Sequence, residues 1–253
     1  MKRLFIMLPA LLIPFVQSAA KTYSVKSPDK AYQLTVKAGE GPTTYSVDYK
    51  GQTIINHSTI GILEADGHQI GNGTVASTTK SSHKGTVDVV VGKTETLADN
   101  YNQLTITYDN GDYALTLRAY NEGVAFQWSL NYDRKITVAN ELLEAVFGKQ
   151  PVKVHFPMCE MKNWEEKDLK KQSHIINQAY RNFERAYVEY ESIAAIPDTA
   201  ISTSPALFTL PDGRTRVAVT EANVYDYPGL YLQPGGGEKI RGHWAGYPKS
   251  VLD

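Results

Sequence analysis

The sequence predicts a mainly β protein, a large antiparallel β-sandwich with short irregular or helical segments. Three observations carry that expectation. Short runs along most of the chain alternate apolar and polar residues, the two-residue period of a strand with one buried face. Turn pairs such as Pro28-Asp29, Lys50-Gly51 and Asn110-Gly111 separate those runs. Composition leans the same way: 16 Tyr suit a half-buried pleated surface and 19 Gly suit tight reversals.

The first 20 residues stand outside this pattern. Met1-Lys2-Arg3 is a basic start, Leu4 to Val16 is apolar with two prolines, and Gln17-Ser18-Ala19-Ala20 ends in small residues. That is the three-part form of a secretory signal peptide. Cleavage is expected after Ala20, with Ser18 three places before the cut; cleavage after Ser18 is the alternative. The apolar run is too short to span a bilayer comfortably, so the product is expected in the periplasm or outside the cell.

The strands then follow in order. Tyr23–Ser27 leads into Pro28-Asp29. Tyr32–Lys37 alternates, turns at Gly39–Pro42, and Tyr45–Tyr49 alternates again before Lys50-Gly51 and Gln52–Ile55. Thr86–Val91 reads as another strand. Leu104–Tyr108 and Tyr113–Tyr120 flank Asp109-Asn110-Gly111-Asp112, where Asn-Gly favours a reversal through positive φ angles. Asn121-Glu122-Gly123 turns the chain into Val124–Leu130, completing a three-strand meander. Ala139–Phe147 is expected to form a short helical turn, and Val152–Phe156 a strand. Trp164–Gln172 is charged and reads as a loop or solvated helix. Leu207–Leu210 and Val217–Thr220 make a second hairpin around Pro211-Asp212-Gly213. Gln233–Gly237 reads as a turn or flexible loop.

Charge narrows the function. With 26 basic and 27 acidic residues the chain carries a formal net charge of −1 and no global field to draw in nucleic acid or an anionic membrane. A single cysteine, Cys159, makes no intrachain disulfide and anchors no zinc site by itself. No Gly-x-Ser-x-Gly, His-Glu-x-x-His or Walker-type loop is present. The six histidines are scattered singly. Two carboxylates stand out by their neighbours. Glu184 lies in Asn182-Phe183-Glu184-Arg185-Ala186-Tyr187, and Glu221 sits at a strand end before Tyr225-Asp226-Tyr227. Such acids suit calcium, a hard cation that takes oxygen ligands, or the hydroxyls of a sugar beside an aromatic platform. The plainer reading pairs Glu184 with Arg185 or a nearby Lys and lets Glu221 tie down its hairpin.

These fragments, taken in order, resemble the N-terminal part of family 97 glycoside hydrolases. Ser27-Pro28-Asp29 resembles the family's start. Tyr45-Ser46-Val47-Asp48-Tyr49-Lys50-Gly51, then Ser58-Thr59-Ile60-Gly61, resembles its next stretch. Tyr101-Asn102-Gln103-Leu104 and Leu117-Arg118-Ala119-Tyr120-Asn121-Glu122-Gly123-Val124-Ala125-Phe126 are similar to its central strands. Thr220-Glu221-Ala222 with Tyr227-Pro228-Gly229-Leu230-Tyr231-Leu232 is the closest match. The resemblance implies a galactose-mutarotase-like super-sandwich over residues 21–253. It also implies a parent enzyme acting on terminal α-linked glucose or galactose with the help of calcium. In that family a (β/α) barrel carries the catalytic residues, and the alternation of strand and helix that such a barrel needs is not found in these residues. The sandwich is expected to be non-catalytic and to complete the active site with one glutamate. Glu184 is the candidate calcium ligand and Glu221 the second candidate; Phe183 stands where many members have Tyr. The expected partners are the catalytic barrel and an oligosaccharide substrate. A free-standing carbohydrate-binding module, using Trp164, Tyr225, Tyr227 and Tyr231, is the alternative.

Overall fold

The computed structural model describes residues 20–160, 187–225 and 227–244. These form two antiparallel sheets. The strands are β1 (Lys21–Lys26), β2 (Tyr32–Ala38), β3 (Thr44–Tyr49), β4 (Gln52–Glu64), β5 (Gln69–Ile70), β6 (Val75–Asp88), β7 (Thr96–Tyr108), β8 (Tyr113–Tyr120) and β9 (Val124–Leu130). They continue with β10 (Val138–Val146), β11 (Lys153–Glu160), β12 (Tyr187–Tyr190), β13 (Ala200–Thr203), β14 (Ala206–Thr209), β15 (Arg216–Val219), β16 (Leu230–Pro234) and β17 (Lys239–Trp244). Among the described residues, the smaller sheet has four strands, β6-β7-β8-β9. The larger runs β1-β2-β3-β4-β10-β17-β16-β13-β11-β14-β15, with β5 beside β4 and β12 beside β11.

Alternation explains how the sheets meet. Leu34, Val36 and Ala38 of β2 are buried while their neighbours are not. Leu104 and Ile106 of β7, and Leu115, Leu117 and Ala119 of β8, do the same from the small sheet. Strand β2 packs on β8, and β1 on β7 and β8, so the two inner faces close one core. A second part of the core gathers under the far half of the large sheet. Phe208 stacks on Phe147 at 4.7 Å between centroids and meets Phe156 edge-on at 6.4 Å. Glu238 ties this half together: its Oε2 accepts the backbone N–H of Val152 (2.9 Å) and of Ile193 (3.2 Å).

The turns follow the sequence. Asp29 Oδ1 accepts the N–H of Ala31, and Lys30 takes a positive φ of 64°. Asn110 and Gly111 adopt φ of 61° and 108°, and Asp109 adds a third at 43°, so the reversal is a tight 3-10 turn. Asp212 Oδ1 accepts the N–H groups of Arg214 and Thr215, which closes the β14–β15 hairpin.

Three expectations are corrected. Ala139–Phe147 is not helical: β10 lies between β4 and β17, with Leu143 opposite Ile60 and Ala145 opposite Ile240. Glu141-Leu142-Leu143-Glu144-Ala145 suits a helix locally, and ladders on both sides override that preference. The strand expected at Thr86–Val91 ends at Asp88 and begins far earlier, at Val75. Tyr231, proposed as a sugar platform, is only 7% exposed and belongs to the interior of β16.

Candidate functional site

The loop from Thr220 to Gly229, described except at residue 226, joins β15 to β16 and carries Glu221, Tyr225 and Tyr227. Asn223 takes a left-handed φ of 61°, which Asn tolerates better than most residues. The reversal leaves Tyr225 81% exposed and Tyr227 41% exposed. Glu221 anchors the loop: its Oε1 accepts the backbone N–H of Leu230 at the start of β16. Tyr227 reaches back across the sheet and donates its hydroxyl to Glu141 Oε2 of β10 at 2.9 Å.

Glu141 is the residue that the sequence reading missed. Its carboxyl sits above the ordinary carboxylate range because burial penalises the charge; the Tyr227 hydroxyl opposes that rise and the charge of Glu221 adds to it. The loop therefore brings two acids, Glu141 and Glu221, within electrostatic reach of each other beside an exposed tyrosine. Nothing local in the sequence marks Glu141, because its partner Tyr227 is 86 residues away. A reading that placed Glu141 on a central strand beside β17 would have found it.

A second acidic cluster lies on β11 and β12. Lys153 Nζ pairs with Glu189 Oε2 at 2.8 Å and with Glu191 Oε1 at 3.4 Å, while His155 Nδ1 lies 3.2 Å from Glu189 Oε1. Lys153 and its hydrogen bond hold Glu189 below the usual carboxylate range. All of these groups are solvated, so the cluster reads as a surface charge network.

Glu184 and Trp164 lie outside the described residues. Glu221, the second candidate ligand, is placed, and its Oε1 is engaged by Leu230. Among the described residues no three His, Cys, Asp or Glu side chains gather to hold a metal. Calcium takes about six to eight oxygen ligands, so the described residues do not by themselves fit that ion. Also among the described residues, no helix is long and apolar enough to cross a membrane.

The two sheets define a large antiparallel β-sandwich. Residues 25–248 match the family model for the Glycosyl-hydrolase 97 N-terminal domain, and the chain belongs to that family. A retaining alpha-galactosidase of Bacteroides thetaiotaomicron is 25% identical over 254 residues, an alignment that covers all of this chain and 36% of the relative. The fold is shared with a glycoside hydrolase family 97 enzyme from Pseudoalteromonas sp. strain K8, solved with acarbose. That likeness has a TM-score of 0.70 at 18% identity and covers 88% of this chain and 32% of the other. A beta-arabinopyranosidase is similar too, at a TM-score of 0.71 and 20% identity over 90% of this chain and 36% of its own. The chain thus spans about a third of the length of these relatives and corresponds to their N-terminal domain.

Proposed function

We propose that this chain is the active-site-completing sandwich of a secreted, exo-acting α-glycosidase that removes terminal α-linked glucose or galactose. The observation that carries the reading is the match of residues 25–248 to the family's N-terminal domain, together with full alignment to a third of a retaining alpha-galactosidase. The sandwich contributes shape and one or two acids to a site whose reacting groups belong to a partner barrel. The face built by Glu221, Tyr225, Tyr227 and Glu141 supports this role. It offers an exposed aromatic ring and a carboxyl of raised pKa where a covering domain would meet its partner.

Calcium belongs to the same reading. Glu184 would supply one carboxylate from this chain, and the partner barrel would supply the others. Bound there, the ion would polarise an oxygen of the leaving sugar as a Lewis acid. The leader at residues 1–20 supports export to the periplasm or beyond.

The test joins this chain to the polypeptide encoded immediately downstream of residue 253 and assays p-nitrophenyl α-glucoside and α-galactoside. The joined protein is expected to hydrolyse one of them in a calcium-dependent way, and Glu184→Gln to raise the calcium needed for half-activation. Unchanged calcium dependence in that variant would remove Glu184 from the site. A downstream reading frame without a barrel would remove the enzymatic reading.

A further inference from the structure

The outer face of the four-stranded sheet carries a set of side chains that neither the core nor the proposed active-site face uses. On β7 and β8 the inward residues Leu104, Leu117 and Ala119 are buried. Their neighbours Tyr101, Gln103, Arg118 and Tyr120 therefore project from the opposite side of the sheet. Register puts His83, Tyr101 and Tyr120 directly opposite one another on three adjacent strands. The result is a row of three rings, with centroids 5.3 Å apart from His83 to Tyr101 and 5.1 Å apart from Tyr101 to Tyr120.

The polar groups around the row are held in place. The Arg118 guanidinium lies over the Tyr101 ring at 4.2 Å. Its Nε donates to Gln103 Oε1 at 2.9 Å and its Nη1 to the Tyr120 hydroxyl at 3.4 Å. His83 Nε2 lies 3.3 Å from Asp99 Oδ2. None of these residues is sealed: all are partly exposed, and the His83 side chain is 48% accessible.

We propose that this face binds a neutral hexopyranose chain, along the row His83–Tyr101–Tyr120 and between Arg118 and Gln103. A pyranose ring offers an apolar C–H face and a rim of hydroxyls that both donate and accept. Aromatic rings with a polar tip match the first. Guanidinium and amide groups, planar and rich in donors and acceptors, match pairs of neighbouring hydroxyls. The Asp99 carboxylate lies 3.3 Å from His83 and within electrostatic reach of Arg118, so the guanidinium already has a counter-charge on this face, which favours an uncharged ligand over an anionic one. The existing bonds also lower the ordering entropy that binding would otherwise demand of long side chains. This inference goes beyond the glycosidase reading: the row lies on the small sheet, whereas Glu141 and Glu221 belong to the large sheet and its loops. It would tether a polysaccharide whose ends an enzyme could then trim.

Native affinity electrophoresis of the full chain through gels carrying soluble starch, galactomannan or polygalacturonate reads this binding. At least one neutral polysaccharide is expected to retard the chain. Tyr120→Ala and Arg118→Ala are each expected to abolish that retardation while a change at the exposed Asp198, Asp198→Ala, leaves it intact. Thermal melting checks that each variant folds. Should Tyr120→Ala fail to fold, Gln103→Ala takes its place, with amide shifts at Tyr101 and Arg118 on titration with maltoheptaose and a galactomannan oligosaccharide as a second readout. Retardation by polygalacturonate alone, equal retardation of every variant, or none in any gel overturns the proposal. The readout is binding and not hydrolysis, so its failure leaves the glycosidase reading untouched.

Discussion

The hydroxyls of Thr43 and Tyr108 lie 2.9 Å apart in the buried seam between the two sheets. Thr43 precedes β3 of the large sheet, and Tyr108 ends β7 of the small one. Thr43 gives its own proton to the carbonyl of Gly71 at 2.6 Å, so Tyr108 must donate to Thr43. Burial pushes the Tyr108 phenol up to about 12, consistent with a permanent donor. Gly71 has a φ of 97° and packs so closely on Trp128 that a Cβ there would sit 3.0 Å from the indole. One hydrogen-bond chain thus fixes the β3 entry, the Gly71 turn and the end of β7 relative to one another.

Breaking that chain should be felt globally. Thr43→Val keeps the shape and the backbone bond from Thr43 N–H to the Gly71 carbonyl (2.8 Å) but strands the buried Tyr108 hydroxyl, and is expected to cost about 1–3 kcal/mol in urea unfolding. Tyr108→Phe should cost less in the Thr43→Val background than in the parent, because the two side chains share one interaction. Simple additivity of the two changes would show that the contact does not couple the sheets.

Acid should weaken the fold partly through Glu64. This carboxylate is buried, with 2% of its side chain accessible, and it accepts Arg134 Nη1 at 2.7 Å and Nη2 at 3.0 Å while His68 Nδ1 lies 2.8 Å away. The Arg134 hydrogen bonds, ahead of those from His68, hold its pKa below the ordinary value. The unfolded chain therefore binds this proton more readily than the folded one. The contribution is fully present above the ordinary carboxylate pKa and is lost as pH falls through the lower folded value. Melting temperature measured from neutral to acid pH should drop less steeply in Glu64→Gln than in the parent. Parallel curves would remove Glu64 from the acid response.

Glu141 should titrate above an ordinary carboxylate in a carbon-detected NMR titration, since burial raises it. Tyr227→Phe removes the hydrogen bond that stabilises the anion, so the pKa should rise further. Glu221→Gln removes a like charge, so it should fall. Movement in the opposite direction in either variant would contradict the geometry of the loop.

Phe208 is fully buried between Phe147 and Phe156. Phe208→Ala is expected to cost about 3–5 kcal/mol by denaturant unfolding, the range for deleting a large core ring. A loss confined to a few tenths would mean that this half of the large sheet is not part of the cooperative core.

Much of the fold was written locally. Leu34-Thr35-Val36, Leu104-Thr105-Ile106 and Leu115-Thr116-Leu117 each alternate, and each buries the face that the alternation names. Pro28-Asp29, Asn110-Gly111 and Pro211-Asp212-Gly213 turn the chain where expected. What stayed hidden depends on distant partners. Strand β10 is a strand because β4 and β17 flank it, and neither pairing is visible from residues 138–146. The same holds for the candidate site. Glu221 stood out by its neighbours, whereas Glu141 gained meaning only when β10 carried it under Tyr227. Tyr231 resembled an exposed platform in sequence, yet β16 lies between β13 and β17 and buries Leu230, Tyr231 and Leu232 alike.

We propose that this chain acts as a covering domain whose chemistry requires a partner. Assaying the purified chain alone against p-nitrophenyl α-glucoside and α-galactoside, with and without added calcium, tests it most directly. The account predicts no turnover above buffer in either condition. Robust, calcium-dependent release of p-nitrophenol by the chain alone would contradict it.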